Sequence, residues 1–421
     1  MIKHLLSFCL FATFLVANSG CGTVPPPGFT SDGCPSDTNE SSKKSANLPS
    51  NINVFLETSG SMFGFMPAST GTEFQTDMWR LISSLNNSKK KGLTVYQVKD
   101  TQSPMSTLNI SSFRDKMNSG EFQASTSTDI PSMLDSVLSK IDKGSVSILI
   151  SDLIFSPENI GNTAPKLAQI TTDVRSRFEG RKLSSALYHF SSDFIGRNVT
   201  PKQSPYYVWI IGEESAVVAV SKIMKINFPN RDQINFGISP RIVDNTIVPG
   251  TIKSGNALAI KCRDSNRYYS WSNYNGDELD FSVALNLSDF PKFVQDPGYL
   301  KRNIEFDNTQ LDLELVSIES GIFKTSINNA DYKLLEQLGA THLVNFRVKN
   351  VYEEETVVNI RIKNEFPNWV NAINSPVDDL SRTKTYGLLN MINGLDEAYK
   401  DVQSKYVSKP FPIWISKNTI D

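Results

Sequence analysis

Apolar and polar positions follow two rhythms along this chain, and the change between them falls near residue 229. In the first part, short apolar runs alternate with segments of helical spacing. Ile52, Val54, Phe55 and Leu56 form a run that reads as a buried strand. Phe74, Met78, Leu81, Ile82 and Leu85 then share one face of a helix over 72–87. Leu93, Val95 and Val98 mark a strand, and residues 101–127 are polar and irregular, with a short strand expected at Leu108–Ile110. Thr128 or Asp129 can cap the next helix, which has Pro131 in its first turn and buries Ile130, Leu134, Val137, Leu138 and Ile141. The strand GSVSILIS ends at Asp152, and Ala164, Leu167, Ile170, Val174 and Phe178 place another helix at about 164–180. Strands SSALYHF and YYVWIIG and the helix SAVVAVSKIMKI complete the alternation. It predicts an α/β unit over 50–228, with a mainly parallel sheet flanked by helices. Ligands of such sheets gather at the carboxyl ends of the strands.

Over 229–380 the pattern becomes short runs of β-branched and aromatic residues, such as DFSVALNL, HLVNFRV and VVNIRI, separated by Gly, Pro, Asn and Asp. This predicts a β-rich, sandwich-like region. The tail, 381–421, carries a helix at about 383–405, with Leu388, Met391, Ile392, Leu395, Tyr399 and Val402 in register, and then the strand FPIWISK. Both are expected to pack on the β-rich region. Gly387 and Gly394 weaken the helix in isolation, so tertiary packing must support it.

The chemistry of interest follows the first apolar run. In ETSGSMFGFM, Glu57, Ser59 and Ser61 offer a carboxylate and two hydroxyls at every second position. Hard oxygens converging in a tight loop suit Mg²⁺ or a similar divalent cation. The simpler alternative is a Ser/Gly turn beside a solvated Glu57. Two distant residues add to the pattern: Thr128 at a helix start and Asp152 at a strand end. The three elements in this order resemble the von Willebrand factor A family, whose metal-ion-dependent adhesion site is Asp-x-Ser-x-Ser, then a Thr, then an Asp. The resemblance spans roughly 50–228. It implies Ser59, Ser61 and Thr128 as direct hydroxyl ligands, Glu57 and Asp152 acting through water, and an acidic side chain of a partner completing the shell. Glu57 stands where the family has Asp. Its longer arm either still serves the ion or closes over the site and satisfies the hydroxyls without one. Phe63, Phe65 and Met66 are either a contact patch for the partner or core packing beneath the loop.

The first twenty residues have a basic start, an apolar stretch from Leu5 to Ala17 and then small residues, the pattern of a signal peptide. Ser-Gly-Cys resembles a bacterial lipobox and would make Cys21 a lipidated first residue, although Asn18 departs from that pattern. Cleavage after Ser19 to give a secreted soluble chain is the alternative. Residues 21–49, rich in Pro, Ser, Gly and charge, read as a flexible tether. After processing only Cys34 and Cys262 remain. A bridge between them would require the tether to fold back, so none is expected.

The formal net charge of −2 gives no sign of a nucleic-acid surface. His189 and His342 lie in strand-like stretches, and no nucleophile elbow, P-loop or dinucleotide fingerprint is present. These observations predict a non-enzymatic, lipid-anchored binding protein of a cell envelope. It would engage a protein or another envelope macromolecule through a Mg²⁺-dependent rim. A metal-free scaffold is the alternative, followed by an envelope-polymer hydrolase with a site between the two regions.

Overall fold

The computed structural model describes residues 25–36, 48–68, 71–88, 92–98, 105–122, 130–154, 163–196, 199–253, 256–263, 265–274, 278–307, 310–321, 323, 327–378, 381–418 and 420. The signal segment, Cys21 and Thr128 therefore lie outside the described residues. No described helix is long and apolar enough to cross a membrane.

The protein is mixed α/β. In the first part, strands β1 (Asn51–Glu57), β2 (Leu93–Val98), β3 (Ser106–Leu108), β4 (Ser145–Ser151), β5 (Ser184–Ser192), β6 (Ser204–Gly212) and β7 (Gln233–Phe236) build one sheet. Its order is β3-β2-β1-β4-β6-β5-β7. Helices α1 (Glu73–Ser88), α2 (Ile110–Ser119), α3 (Ile130–Leu138), α4 (Thr163–Phe178) and α5 (Glu214–Asn227) connect these strands.

The expected mainly parallel sheet is corrected to a mixed one. Among the described residues of this sheet only β1–β2 and β1–β4 pair in parallel, and the other neighbours run antiparallel. The reason lies between β5 and β6. No described residue of 193–203 is helical, so no crossover carries the chain to the far edge. β6 turns back and inserts between β4 and β5. β4 and β6 are buried along their whole length, as expected of central strands covered on both faces.

Strand periodicity divides the apolar side chains between two layers. Ile148 and Ile150 face Phe74, Met78, Val217 and Val220 of α1 and α5. Leu149, Tyr207 and Trp209 face Leu134, Val174 and Phe178 of α3 and α4. α2 arises in the stretch expected to be irregular. It buries only Phe113 and Met117, one turn apart, and Asn109 caps it.

The β-rich part comprises β8 (Asp244–Lys253), β9 (Leu258–Lys261), β10 (Tyr268–Ser272), β11 (Leu279–Asn286), β12 (Ile304–Phe306), β13 (Leu311–Ser320), β14 (His342–Val351), β15 (Glu355–Ile362) and β18 (Phe411–Ser416). They form a four-stranded sheet, β13-β14-β11-β8, and a five-stranded one, β12-β15-β18-β10-β9. The two share one apolar cluster, in which Phe281, Val283 and Phe346 meet Trp271, Ile360 and Ile413. Helices α6 (Pro297–Asn303), α7 (Asn329–Leu338) and α8 (Trp369–Ile373) interrupt the strands, and β16 (Asn374–Ser375) pairs with β17 (Thr385–Tyr386).

Of the two expectations about the C-terminal tail, one changes. The C-terminal strand β18 does join the β-rich part, at the centre of the five-stranded sheet. The helix before it, α9 (Leu388–Tyr399), packs instead against α4 and the first sheet. Leu388, Met391, Ile392, Leu395 and Tyr399 are buried there, each stabilising by about 1.5–3 kcal/mol. A Cβ on Gly394 would sit 2.5 Å from the Thr171 carbonyl oxygen, so glycine is what lets the two helices approach.

The segment expected to be a free tether is in part folded. Phe29 bridges to Pro35 and packs on Trp414, with ring centroids 5.6 Å apart. Cys34 forms a disulfide with Cys262, contrary to expectation. The apolar Phe29, placed five residues before Cys34, supplies the burial that folds this piece back onto the five-stranded sheet.

Candidate functional site

The carboxyl ends of β1, β4 and β5 lie on one edge of the sheet, because β5 regains the direction of β4 after two antiparallel pairings. At this edge β1 delivers Glu57, and the chain enters a 3-10 turn, Gly60–Phe65, with Ser59 just before it. Met62, Phe65 and Met66 turn down into the core. Phe65 packs against Phe74, Phe194 and Tyr206. Phe65 and Met66 are therefore core residues and not the outer contact patch considered from the sequence, and Phe63 is half-buried. The loop after β5 locks the turn from the side. Ile195 donates its N–H to the Gly64 carbonyl at 2.7 Å, and a Cβ on Gly64 would meet the Phe194 ring at 2.4 Å.

The structure brings Ser59, Ser61 and Asp152 together. The Ser59 and Ser61 hydroxyl oxygens are hydrogen-bonded 2.9 Å apart. Asp152, which follows β4, is 1% exposed. One of its oxygens, Oδ1, accepts the Ile154 N–H at 3.1 Å, whereas Oδ2 is buried with no partner among the described residues. Burial pushes the Asp152 carboxyl up from its ordinary value. The Ile154 N–H, the Ser61 hydroxyl and the Arg382 charge oppose that push, and the Asp378 carboxylate adds to it. Leu153, next in sequence, has φ of +54°, a conformation costly for a leucine that aims the chain away immediately after Asp152.

Glu57 is fully buried, and its Oε2 accepts the Ser151 hydroxyl. The sequence reading passed over Ser151. It sits opposite Glu57 on the neighbouring strand and is also the acceptor of the Leu153 N–H donor, at 2.8 Å. Thr58 points the other way, with its N–H on the Val98 carbonyl at 2.9 Å and its hydroxyl taking the Gln97 amide at 2.9 Å. These bonds fix β1 against β2 and leave Ser59 as the first residue free to face the edge.

A second group missed in the sequence is Arg382, more than two hundred residues away in a stretch with no periodicity. It arrives because Thr385, in β17, bonds Tyr207 of β6, oxygen to oxygen at 2.8 Å. The Arg382 guanidinium then lies 5.8 Å from the centre of the Phe194 ring.

A cavity of about 510 Å³ opens elsewhere, on the four-stranded sheet between Gly250, Lys253, Asp280, Ser282, Glu319 and Asn345. Its lining comes wholly from the β-rich part and not from a cleft between the two regions. Comparison of the chain with protein-family models, curated proteins and solved structures gave no significant match. The functional reading therefore rests on the geometry of the rim.

Proposed function

We propose that this chain is an exported, lipid-anchored binding protein that engages a macromolecular partner of a cell envelope. The proposed device is a divalent-cation site of the von Willebrand factor A type at the carboxyl edge of the first sheet. One observation carries the reading. Two hydroxyls 2.9 Å apart meet a deeply buried carboxylate whose second oxygen has no partner among the described residues. Buried carboxylate oxygens are rarely left unpaired, because desolvation without a partner is costly. Hard oxygen donors of this kind fit Mg²⁺.

Ser59 and Ser61 would hold such an ion directly, with Asp152 behind them and Thr128 as a third hydroxyl. When bound, the cation supplies an electrophilic pole for a carboxylate of the partner. The 3-10 turn holds the two serines in place through the Gly64–Ile195 bond, so the donors need little reorganisation. The test is thermal unfolding with Mg²⁺ and with chelator, on the parent chain and on Ser59→Ala/Ser61→Ala. Mg²⁺ should raise the parent's Tm and leave the double variant unchanged. Equal shifts in the two proteins would remove the assignment.

A metal-free scaffold has its own supporting observation. Glu57 already takes the Ser151 hydroxyl, and Ser59 bonds Ser61. Under that reading the parent's Tm is indifferent to both Mg²⁺ and chelator.

A further inference from the structure

We propose that Arg382 is the anion-receiving half of this rim: it weakens binding of a bare divalent cation and takes the carboxylate of an acidic partner segment. This rests on the cation site proposed above. Three observations support it. Arg382 Nη1 is buried and meets no acceptor among the described residues. Asp152 Oδ2, on the same rim, is buried and equally without a donor. Two orphaned atoms of opposite charge on one rim could both be satisfied by a single occupant. Such an occupant needs a positive pole toward Asp152 and a negative one toward Arg382. A divalent cation carrying a carboxylate has that pair of poles.

Arg382 is also held where it is at a cost. Its φ of +60° lies in the left-handed region, which an arginine adopts only when its surroundings impose it. The imposition comes from both sides. The Tyr207–Thr385 bond and the Gly387 N–H on the Ser375 carbonyl, at 3.0 Å, anchor the segment that follows Arg382 and carries it back. The Phe194 ring meets the guanidinium and is itself packed on Gly64 and Phe65. The same phenyl ring therefore touches both the serine turn and Arg382. Asp378 is the other charged group of this segment whose field reaches Asp152, and it is exposed.

Physical consequences of opposite sign follow. A fixed positive charge repels an incoming cation, so a bare ion binds less well than the oxygens alone would allow. Once an anion bridges the two, the repulsion becomes attraction, and bidentate guanidinium–carboxylate geometry adds to it. Cation and anion then bind cooperatively, each raising the affinity of the other by the same factor.

The experiment is calorimetric titration of Mg²⁺ into the parent chain, Arg382→Gln and Arg382→Lys, alone and with a short glutamate peptide. Arg382→Gln should bind Mg²⁺ alone about tenfold more tightly than the parent and lose the peptide's enhancement of Mg²⁺ binding. Arg382→Lys, which keeps the charge, should match the parent for Mg²⁺ alone and show a reduced peptide effect. Unfolding without Mg²⁺ checks that each variant is folded. Equal Mg²⁺ affinity in parent and Arg382→Gln, with the same peptide effect, overturns the role of Arg382 and leaves the cation site standing. No Mg²⁺ binding in any of the three removes the cation site and this proposal together.

Discussion

Two polar clusters in this molecule look alike in composition and differ in what they need. On the outer face of the four-stranded sheet, the Ser282 hydroxyl bonds the Asn345 amide oxygen at 2.5 Å, and the Asn345 amide nitrogen reaches Ser317 and Glu319 at 2.8 and 3.0 Å. Arg347 pairs with Asp280 at 2.7 Å and holds that carboxyl below its usual range. Each of these groups has a partner, and the ion pair is about two-fifths exposed. At the rim of the first sheet, Asp152 is buried with one oxygen unpaired among the described residues. The contrast teaches that number of polar atoms and size of cavity are poor guides to a site. Burial without satisfaction is the better guide, because it marks a place where folding alone leaves a cost.

Acid should separate the two clusters most strongly. His189, in β5, stacks on Trp369 with ring centroids 4.8 Å apart, and burial lowers its pKa to about 4. The unfolded chain takes up this proton near pH 6.5 and the folded one only near 4, so stability is full above pH 6.5 and is lost as pH falls toward 4. The loss reaches about 3 kcal/mol at pH 4. Hydrogen exchange should accelerate most in β5 and β6 over that window, and less in β14, where burial also lowers the pKa of His342. His189→Phe should abolish the difference.

Next in size is the loss of one hydroxyl on each side of the comparison. Ser151→Ala removes a hydroxyl that donates to the buried Glu57 carboxylate and accepts the Leu153 N–H, and should cost about 2 kcal/mol in chemical denaturation. Ser282→Ala, whose partner Asn345 is half-buried and keeps its bonds to Ser317 and Glu319, should cost about 0.5 kcal/mol. Similar values for the two would mean that burial is not what distinguishes the clusters. The smallest effect has the opposite sign. Asp152→Asn removes a buried charge and should stabilise the chain by about 1 kcal/mol while eliminating its response to Mg²⁺. A destabilised Asp152→Asn would show that the carboxylate supports the fold itself.

The positions of Ser59, Ser61 and Asp152 were legible because each follows an apolar run, and such runs end where strands reach the sheet edge. Strand direction was not legible from apolar content, since a run buried on both faces looks the same read either way. The signal of direction lies between β5 and β6, where no described residue is helical. Arg382 left no trace, because a charged residue in an aperiodic stretch gains its meaning only from what Thr385 and Tyr207 do after the chain has folded. The disulfide depends on the burial of Phe29 against Trp414, a contact between the two ends of the sequence. Leu388, Met391, Ile392, Leu395 and Tyr399 do share one buried face of α9, but the helix runs only from Leu388 to Tyr399 and Val402, expected in the same register, lies beyond it and is exposed. Which surface that face covers is decided by the gap that Gly394 opens beside Thr171, and spacing along the chain does not encode that.

The crosslink at Cys34 has a mechanical consequence. Twenty-nine peptide steps separate Cys21 from Ser50, enough for a stalk of roughly 100 Å at full extension. With residues 26–36 clamped onto the five-stranded sheet, the five steps from Cys21 to Pro26 can pay out no more than about 18 Å. A lipid on Cys21 would then moor the molecule close against the bilayer by its β-rich half. Cleaving the sulfur–sulfur bond would leave the hold on this piece to the Phe29–Trp414 contact and to the bond from the Ser270 hydroxyl to the Gly33 carbonyl.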